Sequence, residues 1–89
     1  MTRARIVYSG TVQGVGFRYT VQRHAVSHGL KGWVRNCPDG TVEIQVEGPK
    51  ETIEELCRGV EGYFQEYIQD KDVQFSLAEA GFKDFKIIH

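Results

Sequence analysis

A change of hydrophobic period near the amino terminus constrains this chain most. Residues Arg3 to Ser9 alternate, with Ala4, Ile6 and Tyr8 on one face and Arg3, Arg5 and Ser9 on the other, the period of a strand with one wet side. After a glycine-rich stretch from Gly10 to Gly16, the apolar residues recur as Phe17, Val21 and Ala25, the i, i+4, i+8 stripe of a helix that Gly29 stops after His28. A strand that passes through glycines directly into an amphipathic helix must pack that helix back on its own sheet.

The same reading continues along the chain. Lys31 to Asn36 forms a second strand around Trp33 and Val34; Cys37-Pro38-Asp39-Gly40 is a hairpin turn; Thr41 to Glu47 is a third strand. There Val42, Ile44 and Val46 face one way and Glu43, Gln45 and Glu47 the other. Gly48-Pro49 introduces a second helix with Ile53, Leu56, Cys57 and Val60 on one face. Gly59 and Gly62 argue for stopping that helix, whereas Tyr63, Phe64 and Tyr67 would prolong its stripe. A fourth strand near Val73 to Leu77 and a last one near Phe82 to Ile88 complete the order. The fold class is therefore α+β: a ferredoxin-like split βαβ sandwich, βαββαβ plus a C-terminal strand, with two helices on one face of an antiparallel sheet. With 89 residues and 40% hydrophobic content, residues 1–89 are expected to form a single domain.

This topology has a chemical consequence. The first and second strands run parallel with the third between them, so their C-terminal ends share one edge of the sheet. The glycine loop leaves from one end, and Asn36 sits at the other. In Val12-Gln13-Gly14-Val15-Gly16-Phe17-Arg18 the glycines allow tight turning and exposed N–H groups, the helix start adds unpaired donors, and Arg18 adds a planar fork of charge. That combination suits phosphate or carboxylate oxygens. It is not a Walker loop, because no Gly-Lys-Ser/Thr triplet exists, nor a dinucleotide fingerprint, because position 19 is Tyr19. A Cys-x5-Arg cradle would need its nucleophile at position 12, which is Val12. The attacking group is then water, which the Asn36 amide can orient.

Composition narrows the partners. Eleven basic and twelve acidic residues leave a net charge of -1, so no long-range field recruits nucleic acid or membrane, and no apolar run is long enough to span a bilayer. Gln13-Gly14-Val15-Gly16-Phe17 superficially echoes an RNA-recognition octapeptide, but it precedes a helix instead of lying on a central strand. Cys37 and Cys57 lack CxxC spacing and accompany no signal peptide, which suggests free thiols in the cytoplasm. His24 and His28 make only half of a metal site, so they are read as solvent-facing or capping residues, and no metal or cofactor is expected. Glu51, Glu54 and Glu55 form a solvated helix face; the tyrosines and phenylalanines at helical or alternating spacing are expected in the core.

The motif Val12 to Arg18, followed by Gly32-Trp33-Val34-Arg35-Asn36 and Gly40-Thr41-Val42-Glu43, closely resembles the acylphosphatase family from about Arg5 to Gly48. The region from Gly62 to Asp72 lacks the family's usual pattern, and the chain ends Ile87-Ile88-His89. The resemblance implies hydrolysis of an acyl phosphate to carboxylate and inorganic phosphate. It implies that Gln13, Gly14, Val15, Gly16, Phe17 and Arg18 bind the phosphate, that Asn36 positions the water, and that Arg18 and Asn36 are the catalytic pair. The substrate is a small molecule and the protein is expected to act as a monomer. A non-catalytic module that binds phosphate or carbamoyl phosphate is the alternative within the same resemblance.

Overall fold

The alternating segment pairs on both sides as far as Tyr8, and that places everything else. A computed structural model describes residues 1–89. Its elements are β1 (Thr2–Gly10), α1 (Phe17–Ser27), β2 (Lys31–Asn36), β3 (Val42–Gly48), α2 (Lys50–Phe64), β4 (Ile68–Leu77) and β5 (Phe85–Ile88). The sheet order is β4-β1-β3-β2-β5. β3 is antiparallel to both β1 and β2, so those two strands are parallel to each other. Val42 is opposite Tyr8 on one side and Asn36 on the other, which brings the ends of β1 and β2 to the same level of the sheet. The appended strand differs from an all-antiparallel expectation: β5 pairs with β2 in parallel, and the sheet is mixed.

The inward positions of the strands meet the stripes of the two helices. Ala4, Ile6 and Tyr8 of β1, Val42, Ile44 and Val46 of β3, Phe17, Val21 and Ala25 of α1, and Ile53, Leu56, Val60 and Phe64 of α2 are all buried. Phe17 packs edge-on to Tyr8 at 5.3 Å and tilted against Phe64 at 4.9 Å between ring centroids. This fixes the first turn of α1 over the end of β1. Removing such a ring would cost about 3–5 kcal/mol, so the position of residue 18 is tied to a buried aromatic contact.

One open boundary is settled and two expectations change. α2 continues through Gly59 and Gly62 to Phe64, because Phe64 completes its buried stripe and Gly59 lies against His24 of α1. A Cβ on Gly59 would lie 2.7 Å from His24 Nδ1, so the glycine serves helix contact instead of helix termination. β4 starts at Ile68, well before Val73, since Gln69 to Asp72 need no apolar pattern on an edge strand paired to β1. The aromatic residues do not all join the core: Tyr19, Tyr63, Tyr67 and Phe75 are exposed.

The outer face of the sheet also departs from a simple wet side. Glu43 and Glu47 are only 6% and 2% exposed. Glu43 accepts from Arg5 Nε at 2.8 Å and from Arg35 Nε and Nη2 at 3.0 and 2.8 Å. Glu47 accepts from Arg3 at 2.9 Å and from the Gly81 and Phe82 N–H groups at 2.7 Å each. It thereby holds the segment before β5 against the sheet, and β5 begins at Phe85 instead of Phe82. Burial opposes ionisation of both carboxyls. For Glu43 the Arg35, Arg5 and Gln45 donors outweigh it, for Glu47 the two N–H groups and Arg3, and both are held below the usual carboxylate range.

Candidate functional site

The loop from Thr11 to Gly16 has a backbone that satisfies very little of itself. Gly14 and Gly16 take φ of +78° and +81°, and a Cβ on either would meet nothing within 4 Å. Backbone conformation, not crowding, requires glycine there. Gly16 is also the N-cap of α1, with no side-chain cap and no acidic residue in the first turn. The first backbone donor of the helix to find a partner is Thr20 N–H, on Gly16 O at 3.1 Å; no backbone carbonyl accepts from the N–H groups of residues 14 to 19. These donors sit at the positive end of the helix with no protein anion to serve them.

The loop, the start of α1 and the ends of β2 and β5 enclose a cleft of about 250 Å³. Gly14, Gly16, Phe17, Arg18 and Asn36 line it, with Val12, Tyr19, Ile87 and His89 around them. Two of the expected phosphate-loop residues are not on its wall. Val15 packs against the hydrophobic core, and the Gln13 side chain points to the β2–β3 turn, where its Nε2 donates to Cys37 O at 2.8 Å and Thr41 O at 2.9 Å. Their motif positions were legible; which way each side chain turns depends on the loop's path over the core.

Arg18 makes no ion pair with any carboxylate within the molecule, in contrast to Arg3, Arg5 and Arg35. Its Nη1 lies 3.3 Å from Nδ1 of His89, which accepts in the neutral imidazole. His89 was not among the expected site residues; only its distance of 71 positions from Arg18 in sequence hid it. Asn36 completes the cleft. Its Oδ1 is buried, and no protein group donates to it. A buried acceptor without a donor is uncommon in a folded protein, and Asn36 lines the same cleft as Arg18, which has no carboxylate partner, and the uncapped start of α1.

The other sequence candidates lie elsewhere. His28 caps α1, its Nδ1 2.7 Å from His24 O, with Nε2 3.5 Å from Glu55. His24 packs beside Tyr63. Glu51, Glu54 and Glu55 are exposed on α2. Cys37 is half-buried at the turn and Cys57 is buried under α2, both as free thiols.

Fold and cleft together define a ferredoxin-like α+β sandwich with an anion-receptive loop at the shared strand ends. Comparison with known proteins sharpens the class. A family model described as acylphosphatase matches residues 4–87, which runs well beyond the Arg5 to Gly48 resemblance. Among similar proteins are the acylphosphatase of Bacillus licheniformis, 43% identical over 98% of both chains, and that of Methanospirillum hungatei, 44% identical over 98% of this chain and 97% of the other. The crystal structure of acylphosphatase from Bacillus subtilis superimposes with a TM-score of 0.90 at 37% identity, covering all of both chains. The chain belongs to the acylphosphatase family, and so to a family of hydrolases. No helix is long and apolar enough to cross a membrane.

Proposed function

We propose that residues 1–89 act as one monomeric, cytoplasmic unit that hydrolyses the carboxyl–phosphate bond of a small acyl phosphate. The N–H groups of residues 14 to 18 and the Arg18 guanidinium hold the phosphoryl oxygens, and the Asn36 side-chain amide orients the attacking water. The water oxygen forms the new bond to phosphorus while the carboxylate leaves with the electron pair of the broken P–O bond. A water proton passes to a phosphoryl oxygen. A carboxylate is a good leaving group, so positioning and charge stabilisation suffice, and the reaction needs no covalent acceptor on the loop.

The observation that supports this reading is the Asn36 side chain without a protein hydrogen-bond partner, on the wall of the cleft that Arg18 and the uncapped start of α1 also line. The test is phosphate release from a simple acyl phosphate beside a phosphate monoester of matched size. Rapid release from the first and none from the second is expected. Release from neither, or equal release from both, overturns the reading.

A further inference from the structure

Between Thr11 and Gly16, Val12 is buried in the core and Val15 packs on it, but few hydrogen bonds hold the loop to the rest of the molecule. Thr11 N–H donates to Tyr67 O at 2.9 Å, and Gly16 O accepts from Thr20. Residues 12 to 15 make no backbone hydrogen bond at all. Their only hydrogen bonds to the body are the two from Gln13 Nε2, to Cys37 O and Thr41 O. A side-chain amide nitrogen carries two donors, and here both are used, on two convergent carbonyls.

The target is itself rigid. Cys37 N–H donates to Thr41 O at 2.8 Å, Gly40 N–H to Cys37 O at 3.1 Å, and Thr41 donates from N–H and Oγ1 to Asp39 Oδ1 at 3.0 and 2.7 Å. Asn36 immediately precedes this closed turn and sits opposite Val42 at the end of the ladder. The loop that presents the anion donors is therefore tied to the turn that follows the water-orienting amide, through one side chain.

We infer that Gln13 is a positioning residue: its side-chain amide, outside the anion cleft, clamps the 11–16 loop to the 37–41 turn and sets the separation between the phosphate donors and Asn36. This rests on the function proposed above, but the clamp itself is a physical property that can be read without activity. The chemistry is specific to an amide. In Gln13→Glu an oxygen replaces the nitrogen that faces two carbonyl oxygens, and in Gln13→Met the shape is kept with no donor.

The experiment compares both variants with the parent in two ways. ¹⁵N relaxation of the amides of residues 12 to 16 reports the loop, and the inhibition constant for inorganic phosphate, with kcat and KM on a simple acyl phosphate, reports the site. Expected are a fall of loop order parameters from rigid values to below about 0.6, and an inhibition constant raised about 10- to 30-fold, as two ordinary hydrogen bonds would give. A role confined to stability would lower the melting temperature and leave the phosphate affinity of the folded molecule alone. Loop amides as rigid in both variants as in the parent, or phosphate affinity within threefold of it, overturn the inference. If the parent hydrolyses no acyl phosphate, the functional reading falls by itself, and the relaxation data still decide the clamp.

Discussion

Replacing Asn36 by alanine separates catalysis from folding with unusual clarity. No protein group donates to Asn36 Oδ1, and its amide nitrogen donates to none, so the substitution breaks no intramolecular hydrogen bond. The side chain is only half-buried, at the last position of β2, and the strand pairing to Val42 involves the backbone alone. The stability change should stay within about 1 kcal/mol, a shift of the melting temperature of roughly 4–8 °C at most for a domain of this size. Turnover should behave quite differently. A water displaced by about an ångström or left unoriented loses about 10²- to 10³-fold in rate, about 2.7 to 4.1 kcal/mol at 1.36 kcal/mol per decade. The proposed mechanism assigns phosphate binding to the loop and Arg18, so product inhibition should remain within about threefold of the parent. Steady-state phosphate release, phosphate inhibition and urea unfolding on the same preparation test all three. Turnover within tenfold of the parent refutes the reasoning, as does a loss that merely follows a collapse in stability.

Arg18→Ala should keep the fold, because Arg18 makes no carboxylate pair, and should lower kcat/KM a few-hundredfold, about 3–4 kcal/mol. It should also weaken phosphate inhibition, the signature that distinguishes it from Asn36→Ala. Gly16→Ala places a Cβ in open space at a φ of +81°, so its cost is conformational alone: about 1–2 kcal/mol by urea unfolding. The carboxyls of Glu43 and Glu47 sit below their ordinary value of 4.5 in the folded protein. Their contribution to stability is present above that value and is lost as pH falls through the lower folded values. Urea midpoints should therefore decline below about pH 4.5, and the double variant Glu43→Gln/Glu47→Gln should flatten that slope.

Much of the molecule can be read along the chain. The exchange of period from two to 3.6 at Gly10–Gly16 places β1 and α1, and the Pro-Asp-Gly turn places the β2–β3 hairpin, because local periodicity and turn chemistry act over a few residues. The Phe17 stripe, the Val42 stripe and the motif containing Arg18 and Asn36 follow from the same short range. Boundaries set by long-range pairing were not legible: β4 begins at Ile68 and runs through the polar Gln69 to Asp72 paired with β1, β5 pairs in parallel, and Gly59 lies inside a helix with His24 packed over it.

The sequence by itself determined the order of elements and the two residue blocks proposed to form the site, since both depend on neighbours in the chain. Only the tertiary structure decided how those blocks are joined. It turns Gln13 away from the cleft and onto the turn carbonyls, brings His89 to Arg18 across 71 positions, and buries Glu43 and Glu47 beneath arginines on what alternation marks as a wet face. It also leaves the N–H groups of residues 14 to 19 and the Oδ1 of Asn36 without protein partners. Periodicity distinguishes inside from outside, but hydrogen-bond satisfaction depends on which distant groups converge, and that is fixed only when the chain has closed on itself.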